Sequence, residues 1–172
     1  KQSHCANNPG LLFINLSATS LSDDGLIDYL RQQLAEFDLP AEQFGFEITE
    51  TAAIADFDCA LKLINTLREL GCKVALDDFG TGMSSFSYLK SLKVDYIKID
   101  GSFVRSMLED SMDQSIVEAV NTIGHIAGIK SIAEFVETSA IQQRLVDLGV
   151  DFAQGYAIER PRIFSTLNNK NS

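Results

Sequence analysis

One unit repeats along the chain: an amphipathic helix, a glycine, then an apolar strand. Ala60 to Leu70 places Leu61, Ile64 and Leu67 at helical spacing, followed by Gly71 and the strand Lys73 to Asp78. Ser115 to Ala127 repeats the pattern with Ile116, Val117, Val120 and Ile123, then Gly128 and the strand Ser131 to Val136. Ala140 to Leu148 repeats it with Ile141, Leu145 and Leu148, then Gly149 and Phe152 to Gln154. A glycine just past a helix suits the left-handed residue that ends it, so each one marks a helix stop. Strands are also predicted at Leu11 to Leu16, Phe44 to Thr49 and Asp95 to Ile99, with helices at about Asp23 to Phe37 and Ser84 to Leu89. Strands joined through helices run parallel. The six strands fit a doubly wound open sheet or a barrel. A chain of 172 residues has the length of one domain with a sizeable core.

The strands carry a second pattern. Asn15 lies between Ile14 and Leu16, Glu47 between Phe46 and Ile48, Lys98 between Ile97 and Ile99, and Glu134 between Ala133 and Phe135. Leu76 precedes Asp77, and Ala153 precedes Gln154. Successive strand side chains point to opposite faces, so each strand turns one polar residue, late in its length, away from its apolar neighbours. In a (β/α)8 barrel the apolar set packs outward on the helices, and the inward set at the C-terminal mouth is left for chemistry. One inward polar residue is most simply a hydrogen-bonded core group. A set of six is not, because each unpaired buried polar group costs about 1–3 kcal/mol. They must satisfy one another, water or ions.

Asp77-Asp78-Phe79-Gly80-Thr81-Gly82 sharpens the point. Two adjacent carboxylates close the apolar run Val74-Ala75-Leu76, and a glycine turn follows. Such a pair is costly at a desolvated strand end unless a cation neutralises it. The plainer alternative is an aspartate that caps the next helix. The residues converging on one mouth are Asn15, Glu47, Asp77, Asp78, Lys98, Glu134 and Gln154. Oxygen donors without His or Cys suit Mg²⁺ or Mn²⁺ rather than zinc. Four carboxylates and a carboxamide could hold two ions, and two ions about 3.5–4 Å apart clamp a phosphodiester and activate the attacking water. Lys98 would steady developing negative charge or position the water. Two chemistries fit: metal-assisted phosphoester hydrolysis, and enolate chemistry in a metal-dependent barrel with Lys98 as base.

The net charge of −10, with no basic stripe to offset it, argues against a nucleic-acid polymer as partner. A small anionic ligand stays possible once bound cations invert the acidic site. Cys5, Cys59 and Cys72 lack metal-ligand spacing and read as reduced thiols. No secretory signal and no apolar run long enough to span a membrane is recognisable, which predicts a cytoplasmic location, with any membrane anchor in an upstream segment.

Six motifs, in order, carry a resemblance. Asn15-Leu16-Ser17, Glu47-Ile48-Thr49-Glu50, Asp77-Asp78-Phe79-Gly80-Thr81-Gly82, Lys98-Ile99-Asp100, Ala133-Glu134-Phe135-Val136-Glu137 and Gln154-Gly155-Tyr156 resemble those of EAL domains, bacterial phosphodiesterases that cleave cyclic di-GMP. The resemblance runs from about Leu11 to Pro161. It implies a TIM-like barrel, Mg²⁺ or Mn²⁺ in a two-metal site, and opening of the cyclic dinucleotide to linear pGpG. It also implies that Asn15, Glu47 and Asp77 are ligands of the first metal, and that Asp77, shared, and Asp78 serve the second. Glu134 matches a metal-site or water-orienting carboxylate, Lys98 the catalytic lysine beside the attacking water, and Gln154 a residue that contacts that water or the phosphate. Glu50 matches the glutamate that braces the loop after Asp78. That loop, Phe79 to Leu89, resembles the segment tied to dimerisation and control, so a homodimer is implied, as are upstream sensory or GGDEF-type domains in the parent protein.

The sequence departs from the family in two places. The Glu-Ala-Leu of the first strand, whose glutamate is a metal ligand, is absent, as are the first strand and first helix. The expectation is therefore an N-terminally truncated barrel of about six βα units, a single partial domain over 1–172. Residues 1–10 are read as a remnant of the preceding segment and 163–172 as a polar tail. Alone, this fragment is expected to turn over weakly or not at all, and a receptor that binds cyclic di-GMP without cleaving it is the alternative. The second departure is Phe135, where the family more often has glycine; it is expected to point outward into the helix layer. Asp100 either orients Lys98 or caps a turn before Ser102. Glu137 is read as starting a helix, Glu109, Asp110 and Asp113 as a solvated helix start, and His125 as structural.

Overall fold

The computed structural model describes residues 10–23, 25–81 and 86–161. Its elements are β1 (Leu12–Leu16), α1 (Leu26–Glu36), β2 (Phe44–Thr49), α2 (Glu50–Ala55), α3 (Phe57–Glu69), β3 (Lys73–Phe79), β4 (Tyr96–Ile99), α4 (Gly101–Ser106), α5 (Ser111–Ile126), β5 (Lys130–Ala133), α6 (Ser139–Asp147) and β6 (Phe152–Ala153). The helix expected at Ser84 to Leu89 is a 3₁₀ turn, Phe86–Lys90, and positions 84 and 85 lie outside the described residues, as do His4 and Cys5.

The strands form one parallel sheet in the order β1-β2-β3-β4-β5-β6. A doubly wound sheet reverses direction at a switch point, whereas here every strand pairs with the next. Right-handed crossovers in one direction put all the helices on one face, which is the barrel arrangement. The sheet is thus part of a TIM-like (β/α)8 wall.

Three helices end as their glycines require. Gly71, Gly128 and Gly149 have φ of 94°, 75° and 73°. Their N–H groups reach back to the carbonyls of Arg68, His125 and Val146, and the N–H of the following residue bonds Leu67, Gly124 and Leu145. This double closure satisfies the orphan carbonyls and launches the next strand.

The outward strand residues Ile48, Val74, Leu76, Ile97, Ile99 and Ala133 are fully buried against Ala60, Ile64, Leu67, Val104, Val117 and Val120 of the helices. The inner face has two levels. Two positions before the polar residues, Phe13, Tyr96 and Phe152 form an aromatic floor with ring centroids 5.5 and 6.0 Å apart. Gly45, two before Glu47, leaves room for it, because a Cβ there would stand 2.5 Å from the Phe13 ring. The polar residues sit above this floor.

Two strands depart from simple alternation at their ends. The β3–β4 register shifts between Leu76, opposite Ile97, and Phe79, opposite Ile99. One extra residue is therefore held in β3, a β-bulge, with Asp78 at φ 54°. β5 stops at Ala133 rather than Val136, because Phe135 adopts φ 52°.

Candidate functional site

The bulge explains how two consecutive acids share one mouth. Strict alternation would send Asp78 into the helix layer. The extra residue lets Leu76 and Phe79 both stay in the core, at 0% and 1% exposure, while Asp77 and Asp78 lie between them. The Asp78 N–H donates to Asp77 Oδ1 at 3.0 Å, and the Thr81 hydroxyl donates to the Asp78 carbonyl at 3.0 Å.

Lys98 is the centre of the site. Its Nζ lies 2.9 Å from Glu47 Oε2, 2.9 Å from Asp77 Oδ1 and 2.9 Å from Glu134 Oε1. These side chains come from four neighbouring strands or their ends, and all four residues are buried. Carboxylate oxygens of Asp77, Asp78 and Glu134 all lie within 4.8 Å of one another, a group that could hold a metal ion. Among the described residues every buried polar side-chain atom has a hydrogen-bond partner. The buried members of the inward set, Glu47, Asp77, Lys98 and Glu134, thus satisfy one another.

Three carboxylates lie against one ammonium, with Asp78 beside them. Burial raises the Glu47 and Glu134 carboxyls, with Lys98 opposing and Asp77 adding repulsion. Asp78 is raised by burial and by the charges of Asp77 and Asp100. Burial alone would lower Lys98, but the three carboxylates outweigh it and hold the amine protonated. A concentrated, all-oxygen, net-negative group fits a hard divalent cation.

Asn15 is level with Glu47 in the β1–β2 register, exposed at the end of β1. Gln154 follows β6, beside the Glu134 end of the site. A cavity of about 490 Å³ opens there, lined among others by Glu134, Phe135, Glu137, Gln154, Tyr156 and Arg160. The Arg160 guanidinium lies 5.1 Å from the Tyr156 ring centroid.

Glu50 starts α2 and is 3% exposed. One carboxylate oxygen accepts the Gly80 N–H at 3.1 Å, and the other accepts the Tyr88 hydroxyl. It therefore ties both described ends of the loop after Asp78, in which positions 82–85 lie outside the described residues. Burial and the Glu50 charge push the Tyr88 hydroxyl up, keeping it a donor.

Asp100 caps α4 by accepting the Ser102 N–H at 2.8 Å, and the Ser102 hydroxyl donates to it as well. Asp110 caps α5. Glu137 does not begin a helix: Thr138 caps α6, and Glu137 lines the cavity instead. His125 pairs with Asp151 at 2.8 Å, and Asp151 also accepts the Ser131 N–H. Phe135 leans on α4, with the Arg105 guanidinium 4.8 Å from its ring centroid, but it stays half exposed. Nothing in the one-dimensional pattern signals the bulge, because a bulge is a register property of two strands.

The profile of the EAL domain matches residues 1–161. The chain belongs to the EAL domain family. It is 43% identical over 161 residues to the cyclic di-GMP phosphodiesterase PdeB of Shewanella oneidensis, covering 94% of this chain and 18% of that protein. It is 38% identical over 156 residues to the cyclic di-GMP phosphodiesterase PdeF of Escherichia coli K12, covering 90% of this chain and 21% of that one. The solved PaMucR phosphodiesterase in complex with c-di-GMP superposes with a TM-score of 0.87 at 37% identity, over 91% of this chain and 64% of that one. The chain therefore spans about a fifth of the length of these curated relatives. No helix of the described residues is long and apolar enough to cross a membrane.

Proposed function

We propose that this EAL domain chain is the greater part of the catalytic domain of a cytoplasmic, metal-dependent phosphodiesterase that hydrolyses cyclic di-GMP to linear pGpG. The observation that carries the reading is Lys98 held between Glu47, Asp77 and Glu134, with Asp78 beside them on the bulge. A purely structural core has no use for four acids around one base at a strand-end mouth.

Asn15, Glu47, Asp77, Asp78 and Glu134 would hold Mg²⁺ or Mn²⁺, as two ions in the complete domain. Bound there, the metal supplies a more acidic water and charge neutralisation at a phosphate oxygen. The protein residues divide the remaining work. Glu134 orients the attacking water and accepts its proton. Lys98 donates to that water or to the phosphate oxygen on which charge develops. Gln154 contacts the water or the phosphate from the cavity side. Glu50 fixes the backbone that carries Asp78. The water oxygen forms a bond to phosphorus, the phosphorus–O3′ bond breaks, O3′ leaves as a hydroxyl with the proton that Glu134 took from the water, and the ring opens to a linear dinucleotide. A homodimer formed through the loop after Asp78, and sensory or cyclase domains upstream, complete the proposed parent protein.

The tripeptide Glu-Ala-Leu occurs nowhere in the 172 residues, so the chain alone is expected to turn over weakly or not at all. The test is chromatography of cyclic di-GMP incubated with Mg²⁺ or Mn²⁺ and the protein carrying the coding segment immediately upstream of Lys1. Conversion to pGpG supports the reading. Tight binding by calorimetry with the substrate untouched would make the domain a receptor.

A further inference from the structure

The geometry of Lys98 limits what it can do before a cation arrives. An ammonium has three N–H donors and no more. The Lys98 Nζ lies 2.9 Å from an oxygen of each of Glu47, Asp77 and Glu134, donating a hydrogen bond to Glu47 and pairing by charge with the other two, and the residue is only 3% exposed. Three carboxylates thus surround the ammonium and compete with a water or a phosphate oxygen for its donors. Two of those carboxylates, Asp77 and Glu134, are also two of the three whose oxygens cluster within 4.8 Å as a candidate cation site. The ammonium and a divalent cation therefore draw on the same two groups.

We infer that cation binding and release of Lys98 from Asp77 and Glu134 are a single exchange, so that the metal switches Lys98 from internal counter-ion to substrate-facing donor. The inference rests on the metal-site reading above and adds a regulatory step to it. In the metal-free protein Lys98 keeps carboxylates from three strand ends from repelling one another, which holds the mouth in shape for the ion. The cation then takes Asp77 and Glu134, which leaves Lys98 with donors to spare. Metal-free protein on this account lacks two things at once: the ion and a usable lysine.

The experiment follows the ammonium itself. The protein carrying the segment upstream of Lys1 is labelled with ¹⁵N-lysine, and the Nζ resonances are recorded near neutral pH, where exposed lysine ammoniums are lost to fast exchange with water. Lys98→Arg assigns the signal. Mg²⁺ is then added, with its binding followed by calorimetry in the same sample. A slowly exchanging Lys98 resonance without metal, lost when Mg²⁺ binds, is the expected result. A resonance that persists unchanged while Mg²⁺ binds overturns the exchange and leaves the metal site standing. Absence of a protected ammonium in the metal-free protein also overturns it. If calorimetry detects no Mg²⁺ binding, the metal-site reading and the exchange fall together.

Discussion

Gly101, the first residue of α4, lies directly beneath the ring of Phe135: a Cβ at position 101 would come within 2.1 Å of ring atom Cδ2. The two positions are one packing unit, with Arg105 a turn further along α4 completing the stack. Gly101→Ala must displace the ring and should cost about 1–3 kcal/mol, the usual range for overpacking. In a Phe135→Gly background the same change should be nearly neutral, and urea unfolding of the double-mutant cycle reads the coupling. At φ 52° a glycine at 135 avoids the Cβ strain, so Phe135→Gly should be more stable than Phe135→Ala by about 1 kcal/mol. Equal stabilities would remove the strain argument.

The strand and helix order is readable from periodicity because three of the helices carry a glycine stop and the strands carry an alternation of polar and apolar residues. The barrel direction is not readable from that count alone; it comes from strand neighbours, a long-range property. The mouth residues Glu47, Asp77, Lys98 and Glu134 are legible as polar residues in apolar strands. Asp78 at the same mouth is legible from the two adjacent acids that close the strand, but not from alternation, which sends it the other way until the bulge reverses that. Alternation also places Phe135 toward the helix layer, yet its backbone is left-handed and cuts β5 short, and the next residue, Val136, donates its N–H to the Gln154 carbonyl across the sheet. No local pattern reports such pairing.

Glu50 offers a test of how the Asp78 loop is held. Its two carboxylate oxygens serve the Gly80 N–H and the Tyr88 hydroxyl. Glu50→Gln keeps one acceptor and presents an amide N–H₂ where an acceptor is needed, which should cost about 1–3 kcal/mol. The Gly80 amide should then exchange with deuterium faster than in the parent, and Mn²⁺ affinity should fall because Asp78 is less well fixed. Unaltered Gly80 protection would show that the loop is braced by something else.

Burial of two glutamates, which the Lys98 ammonium only partly offsets, gives the protein an unusual pH dependence. Glu47 and Glu134 titrate above the ordinary value of 4.5, chiefly through burial. The folded state therefore holds more protons than the unfolded chain between that value and the raised one, and stability rises as pH falls through this window. Asp151 acts in the other direction. Burial raises it, but the Ser131 N–H and His125 outweigh that and lower it below 3.8, so its contribution fades only in stronger acid. Thermal melts across pH should show a midpoint that climbs on mild acidification, and saturating Mg²⁺ should flatten the climb. A midpoint that falls steadily from neutral pH would mean that burial of the two glutamates does not govern their protonation.

Asp77 links the Lys98 ammonium, the bulge and the candidate cation group. Its Oδ1 receives both the Lys98 ammonium and the Asp78 N–H, and its carboxylate belongs to the group able to hold a cation. Asp77→Asn keeps the volume and an acceptor for Asp78 but removes the charge. In the protein with its upstream segment, Mn²⁺ affinity should fall and turnover of cyclic di-GMP should drop by about 10³-fold or more, the scale of losing several kcal/mol of metal-assisted stabilisation. Ca²⁺ should occupy the wild-type site without supporting turnover, because it is larger and tolerates irregular coordination where the two-metal clamp needs a fixed one. Metal titration by calorimetry separates the two effects: Asp77→Asn should lose binding and rate together, whereas Ca²⁺ should bind and inhibit. An Asp77→Asn protein with full activity would leave the carboxylate without a part in the chemistry.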